Sequence, residues 1–274
     1  MKTLVRATVL GLGLLAAACS NDSSTSQNQA LNPLFDRDAA LVAGDATAED
    51  VAAASDPGNP SAMTAVGSAA FAPASPPGGF YTEGCTFNPT SQRLECQPVQ
   101  RDGLTIQRSF QFTAANGSIQ QAFDRLATAA ANVTADVSGQ VARENWTATV
   151  DRHRDLTATG LSGHETERTW NGTGNGTVAR SKHTDGTETR TYDITYTTGV
   201  NSVVVPVPHT ADSWPLSGSI TREMSIKIEG GPRDGQTVER TATVTFNDTQ
   251  FVPITINGKT FTFDLKTRHV IRDN

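Results

Sequence analysis

Apolar and polar side chains alternate along four stretches of this chain, and this alternation constrains the fold more than any other feature. Successive residues of a β-strand point to opposite faces of a sheet, so a period of two places one set of side chains on each face. One set here is largely apolar, and the other is rich in threonine and charged residues. We therefore predict an antiparallel sheet with one face exposed to water. The four stretches are 104–112, 220–228, 238–246 and 261–265.

Dipeptides typical of tight turns lie between strand-like stretches. Asn-Gly and Asp-Gly accept the positive φ of hairpin turns, and their short intervals favour a meander because parallel strands need long crossovers. The glycine-rich stretch 170–176 is interpreted in the same way, as a hairpin loop, because a strand-like stretch and not a helix follows it. Six of these dipeptides are Asp102-Gly103, Asn171-Gly172, Asn175-Gly176, Asp185-Gly186, Asp234-Gly235 and Asn257-Gly258.

One helix is predicted within the strand-rich part, at about 118–134. Ser118 and Gln121 form the pattern of a capping box, and apolar residues follow at helical spacing. We expect this helix to pack on the sheet. The predicted fold class is mainly β: a large, curved antiparallel meander sheet, open or barrel-like, with one amphipathic helix on its apolar face. The apolar positions of the helix are Ile119, Ala122, Phe123, Leu126, Ala130 and Val133.

The chain divides by composition into three parts. Residues 1–18 form a leader, and residues 19–79 are rich in small and polar residues, with five prolines between positions 57 and 77. A segment with so few large apolar side chains does not bury enough surface to offset its ordering entropy. We predict a disordered tether over 19–79, in which a short helix near 46–54 is compatible with the composition. The folded domain is expected to span 80–274.

The leader combines Lys2 and Arg6 with an apolar run of about twelve residues, shorter than a membrane span, that ends in Leu-Ala-Ala-Ala-Cys. This end resembles the lipobox of a bacterial lipoprotein. The resemblance implies that residues 1–18 are a signal peptide and that Cys19 carries the lipid, palmitate included. Ser20 follows Cys19, and in the sorting pattern of such lipoproteins the absence of aspartate at this position favours the outer membrane over the inner one. The choice between the two membranes and the periplasmic or surface orientation stay open. The alternative is an ordinary secretory signal cleaved near Ala18.

The charge of the chain argues against two classes of partner. The formal net charge is −6, and loss of the two positive charges in residues 1–18 makes it −8. Nucleic acids and anionic membrane surfaces are bound by clustered lysine and arginine, so neither is expected as an electrostatic partner.

Cys85 and Cys96 are the cysteines that follow Cys19, and an even pair in an oxidising compartment indicates a disulfide. The Asn-Pro-Thr-Ser sequence between them predicts a turn, so the two cysteines are expected to face each other across a hairpin. A redox pair or a metal site is the alternative. The spacing is not Cys-x-x-Cys and no histidine lies nearby, which favours a structural disulfide.

The sequence assigns no catalytic residue, metal or cofactor. The five histidines form no zinc-binding spacing, and no serine lies in a Gly-x-Ser-x-Gly motif. The pattern His164-Glu165-x-Glu167 is interpreted as the polar face of a solvated strand, and Asp151 and Asp155 as surface charge. Trp214 and His209 are candidate ligand contacts because they lie in a long proline-bearing connection. The alternative is a loop packed over a sheet edge.

Three functional hypotheses follow. The favoured one is a lipid-anchored envelope protein whose domain is a non-enzymatic binding or structural module, and a carrier of a hydrophobic ligand if a cavity separates sheet and helix. The second is an envelope hydrolase whose site is assembled from distant strands. The third is an envelope-assembly subunit that pairs through a strand edge. The expected partners are the membrane, through the lipid, and a hydrophobic ligand or another envelope protein.

Overall fold

The computed structural model describes residues 33–55 and 79–273, except 102, 144–145, 184–188, 211 and 231–233. These residues form one helix and fourteen strands. The elements are α1 Pro33–Ser55, β1 Cys85–Asn88, β2 Arg93–Cys96, β3 Val99–Arg101, β4 Leu104–Ala114, β5 Ile119–Gln120, β6 Thr128–Arg143, β7 Trp146–Thr159, β8 Glu167–His183, β9 Thr189–Pro206, β10 Ser217–Glu229, β11 Thr237–Thr245, β12 Phe251–Ile256, β13 Lys259–Asp264 and β14 His269–Asp273.

The strands form a single antiparallel sheet in which neighbours along the chain are, with few exceptions, neighbours in space. The order is β1-β2-β4-β6-β7-β8-β9-β10-β11-β12-β13-β14, and the short strands β3 and β5 pair with β4. The two ends of this order do not pair among the described residues, so the sheet is open. The predicted fold class, a mainly β meander with one helix, is confirmed.

The four alternating stretches lie in β4, β10, β11 and β13, with the apolar set buried as predicted. We call the face that carries this set the inner face and the opposite one the outer face. Helix α1 lies against the inner face, where it contacts β9 and β11–β14. The turn predicted at Asn257-Gly258 joins β12 to β13, and both residues have positive φ, 48° and 80°. The Asp185-Gly186 turn lies outside the described residues.

The helix predicted at 118–134 is wrong, because these residues form β5, a connection and the first seven residues of β6. Strand β6 pairs with β4 on one side and β7 on the other, and its alternate residues Ala131, Val133 and Ala135 are buried. Alanine fits both a helical and a strand pattern, and pairing on both edges decides between them. Leu126, which the helix would have placed on its buried stripe, is 75% exposed.

The tether predicted for 19–79 is wrong for residues 33–55, which form α1 and pack into the core. The compatible short helix at 46–54 is therefore part of a helix of 23 residues. A set of its buried positions recurs with spacings of four and three, which place them on one side of a helix. This stripe consists of Asp36, Ala40, Ala43, Thr47, Asp50 and Ala54. The remaining parts of 19–79 lie outside the described residues, apart from Gly79.

The hairpin loop predicted at 170–176 is also wrong, because this stretch lies inside β8 and pairs with β7 and β9. Gly174 and Gly176 belong to the inner face, next to the large side chains of the neighbouring strands. A Cβ added to Gly176 would lie 2.8 Å from the Tyr196 hydroxyl oxygen. Glycine therefore provides room on the inner face here and does not mark a turn.

Candidate functional site

Arginine occupies inner-face positions on five strands, among inner-face neighbours that are largely apolar. All six side chains are buried, with relative exposures between 2% and 7%. Guanidinium groups remain charged even when buried, so each is costly unless a carboxylate or another acceptor faces it. The inner face therefore carries a set of buried positive charges that need acceptors, and we take it as the candidate site. The six are Arg108 on β4, Arg152 and Arg154 on β7, Arg168 on β8, Arg222 on β10 and Arg240 on β11.

Asp50 of α1 bridges two of these arginines. Arg154 Nε donates to Asp50 Oδ1 at 2.6 Å, and Arg222 Nη2 donates to Asp50 Oδ2. The three side chains are at most 9% exposed, so the bridge lies in a low-dielectric interior. Arg222 Nη1 also donates to Thr47 Oγ1 at 2.6 Å and to the Ala43 carbonyl at 3.2 Å. One arginine thus fixes two turns of the helix.

The sheet register explains why one carboxylate reaches two arginines on strands that are not neighbours. Arg154 is opposite Gly174, Gly174 is opposite Thr198, and Thr198 is opposite Arg222. These four residues form a row across the strands, which we call a transverse row. The row has no side chain at Gly174 and a short one at Thr198. Asp50 enters the row between the two arginines.

Asp36 forms a second bridge, at the other end of the helix. It accepts from Arg240 Nε at 3.1 Å through Oδ1 and from Lys259 Nζ at 3.1 Å through Oδ2. The Asp36 side chain is fully buried, whereas that of Lys259 is 39% exposed. Asp36 also lies in the first turn of α1, where the helix dipole favours a negative charge.

A cavity adjoins the Asp50 bridge, but it is small. Its volume is about 10 Å³. A cavity of this volume holds about one water molecule, and an acyl chain does not fit. The inner-face polar residues that line it are Asp50, Arg154, Tyr196, Thr198 and Arg222.

Glu165 and Arg168 correct one expectation about surface charge. Glu165 lies in the connection before β8, not in a strand, and its side chain is 7% exposed. Burial acts to raise the pKa of Glu165. Hydrogen bonds from Arg168 and from the Ser162 backbone N–H outweigh it, and the pKa is lowered overall. This carboxylate is the counter-ion of a buried arginine. Asp151, Asp155 and Glu167 are exposed, as predicted.

The described histidines do not gather into a site. On the outer face, His153 Nδ1 lies 2.7 Å from Asp136 Oδ1, and both side chains are substantially exposed. His164 and His269 are exposed and lie in the connection before β8 and on β14. Among the described residues, no group of three or more histidine, cysteine, aspartate or glutamate side chains is arranged to hold a metal ion.

The structure confirms one of the predictions made for individual residues and leaves the others untested. The Cys85–Cys96 disulfide is confirmed, with the two cysteines opposite each other in β1 and β2. Trp214 is 7% exposed and belongs to the core, which agrees with a packed loop, and His209 is partly buried. Their contact with a ligand stays a prediction. Cys19 lies outside the described residues.

Sequence reasoning missed both bridges. The signal that could have indicated them is arginine at apolar positions of an alternating strand, as at Arg108, Arg222 and Arg240. The carboxylates could not be assigned, because Asp50 is 104 residues from Arg154 and 172 from Arg222 along the chain.

No protein-family model, curated protein or solved structure matches this chain. None of the helical residues that the structure describes forms a segment long and apolar enough to cross a membrane.

Proposed function

We propose that this chain is a lipid-anchored protein of the bacterial outer membrane whose domain is a non-enzymatic structural or binding module. The observation that supports the module best is the occupation of the inner face by α1. Two carboxylates of the helix pair with four cations of the sheet, at Asp36 and Asp50. The helix leaves a cavity of about 10 Å³ beside Asp50. The space next to the bridge is therefore well filled, which favours a packed scaffold at this place.

The location rests on the leader and agrees with the disulfide. Disulfides persist in oxidising compartments, and the Cys85–Cys96 pair fits export from the cytoplasm. Lipid on Cys19 supplies the anchor in this proposal, since the acidic chain is not suited to electrostatic attachment.

Metabolic labelling with palmitate tests the anchor. The wild-type chain is expected to incorporate label and to sediment with membranes, and Cys19→Ala is expected to lose both properties. Cys85→Ala is the matched control, because it removes a cysteine without touching the leader. An unlabelled wild type, or a Cys19→Ala variant that keeps the label, would contradict the lipid anchor.

The open ends of the sheet support pairing with another envelope protein as the mode of action. β14 is the last strand of the order, and it carries an exposed apolar side chain, Ile271, which is 53% exposed. A strand at the edge of a sheet presents unpaired backbone groups to an incoming strand.

Photocrosslinking in cells tests this mode. A photoreactive amino acid at position 271 is expected to give a discrete adduct with another protein. The same residue at position 195, on the exposed outer face of β9, serves as the control and is expected to give none. Adducts from position 195 alone, or from neither position, would contradict edge pairing. Lipid recovered in stoichiometric amount by extraction and mass spectrometry would instead favour the carrier.

A further inference from the structure

Arg108 lacks the carboxylate partner that four other inner-face arginines have. Arg154, Arg168, Arg222 and Arg240 each donate to an aspartate or a glutamate. The Arg108 side chain is 2% exposed, and its Nε and Nη1 atoms have no hydrogen-bond acceptor. A buried guanidinium with unpaired N–H groups is costly, so this position requires an explanation.

The surroundings of Arg108 provide no negative charge on its own strand. Ile106 and Phe110, the nearest residues of β4 on the same face, are fully buried. The guanidinium carbon lies 5.3 Å from the centroid of the Tyr81 ring, which offers a cation–π contact. The Tyr81 hydroxyl donates to the Glu83 carboxylate at 2.7 Å, but no hydrogen bond joins Glu83 to Arg108 Nε or Nη1. Burial lowers the pKa of Arg108, as expected for a desolvated cation.

The sheet register places a second arginine close to Arg108. Arg108 is opposite Ala135 on β6, and Ala135 is opposite Arg154 on β7. Two strand spacings, about 9.6 Å, therefore separate Arg108 from Arg154 in one transverse row. The residue between them is an alanine, which keeps this part of the row free of a large side chain. Asp50 already pairs with Arg154, so Arg108 is the member of this row whose guanidinium lacks a carboxylate.

We infer that Arg108 is an anion-binding site on the inner face, whose ligand is a small oxyanion, a carboxylate or a phosphate. Guanidinium groups pair preferentially with these oxyanions because their planar N–H donors match the geometry of the acceptors. Tyr81 is partly exposed and packs on the guanidinium from the segment that precedes β1, so displacement of this ring gives access. The inference does not depend on the lipid anchor or on edge pairing.

Thermal unfolding of the full chain with added anions tests the inference. Inorganic phosphate, acetate and hexanoate are titrated separately at constant ionic strength, with chloride as the balancing anion. At ten times its Kd, a ligand specific to the native state is expected to raise Tm by about 3–6 °C. A larger rise per mole with hexanoate than with acetate would identify an anion carried on an apolar chain. Equal rises would identify a free oxyanion.

Three variants locate the effect. Arg108→Met removes the charge at similar volume and is expected to abolish the anion-dependent rise. Arg108→Lys keeps a charge without the planar donors, and the rise should shrink several-fold. Arg101→Met, at an exposed arginine of β3, is the matched control and should keep the full response.

The inference is overturned if none of the three anions raises Tm of the wild type, or if Arg108→Met responds as the wild type does. Should Arg108→Met fail to fold, as seen by far-UV circular dichroism, the comparison of wild type with Arg108→Lys decides. Equal responses of these two proteins would then count against a site at Arg108.

Discussion

Replacement of Asp50 by asparagine tests whether the buried bridge holds α1 on the sheet. Asparagine keeps the shape of the side chain but removes the carboxylate that Arg154 and Arg222 share. Removal of one partner from a buried ion pair typically costs about 3–5 kcal/mol. Six buried alanine methyl groups of α1, at about 0.8 kcal/mol each, contribute about 5 kcal/mol in total. The loss of the bridge is therefore comparable to the whole alanine contribution of the helix.

Hydrogen exchange of the α1 backbone amides measures this loss directly. Asp50→Asn is expected to lower the free energy of α1 opening by about 3–5 kcal/mol, a factor of more than one hundred in the exchange rate. If the helix and the sheet unfold together, the Tm measured by thermal unfolding of the same variant falls by about 6–20 °C. Asp151→Asn, at an exposed carboxylate of β7, is the control and should change stability by less than about 0.5 kcal/mol. A change of less than about 1 kcal/mol for Asp50→Asn would refute the reasoning.

Three further perturbations follow from the same contacts. A Cβ added to Gly44 would overlap the buried ring of Phe263, so Gly44→Ala should destabilise the fold by about 1–3 kcal/mol in urea unfolding. Gly199→Ala is the control, because a Cβ there would meet no atom within 4 Å, and it should not destabilise the fold. Cys85→Ala combined with Cys96→Ala should cost about 2–3 kcal/mol in urea unfolding, and equal stabilities of the oxidised and reduced wild type would contradict this. Because the pKa of Glu165 is lowered in the folded state, its contribution to stability is present above the unfolded pKa of about 4.3 and is lost as pH falls through the folded pKa. Glu165→Gln should therefore flatten this part of the pH–stability curve, and an unchanged curve would count against the ion pair.

The strands could be predicted where side-chain size and polarity alternate cleanly. In β10, Ile220, Met224 and Ile228 lie on the inner face together with Arg222, and the residues that alternate with this set lie on the outer face. Such a pattern has only one face that can be buried, so the register follows from it. The dipeptide Asn257-Gly258 was equally informative, because a tight turn requires positive φ at both positions.

The helix could not be placed because its buried stripe lacks large apolar side chains. Ala40 and Ala43 bury small surfaces, and Asp36 and Asp50 look like solvent-facing residues in a sequence. The apolar residues at 119–133 fit a helical spacing by coincidence. Phe123 does reach the core, where it lies 5.3 Å from the Phe112 ring, but it does so from a connection between strands. Tertiary pairing overrode the local pattern in both cases.

The candidate site could not be predicted because the aspartate partners of its arginines lie far away along the chain. Arg108, Arg222 and Arg240 stand at inner-face positions in stretches whose alternation was recognised, and this conflict between polarity and position is itself a signal. Local conflicts of this kind are expected at sites with a specific role. The missing information was the identity of the partners, since no sequence pattern links a helix at 33–55 to strands more than one hundred residues away.

The two bridges also explain how an alanine-rich helix keeps one position on the sheet. Burial of alanine is non-directional, so the alanines of the stripe define the axial position of α1 only weakly. Asp36 and Asp50 are fourteen residues apart, about 21 Å along the axis, and each meets cations fixed by the sheet register. A shift of one turn would leave both carboxylates buried without partners. We therefore expect the double variant Asp36→Asn/Asp50→Asn to give exchange-broadened NMR signals for α1, because several axial positions become similar in energy. Sharp signals at the wild-type chemical shifts would show that alanine packing alone defines the register.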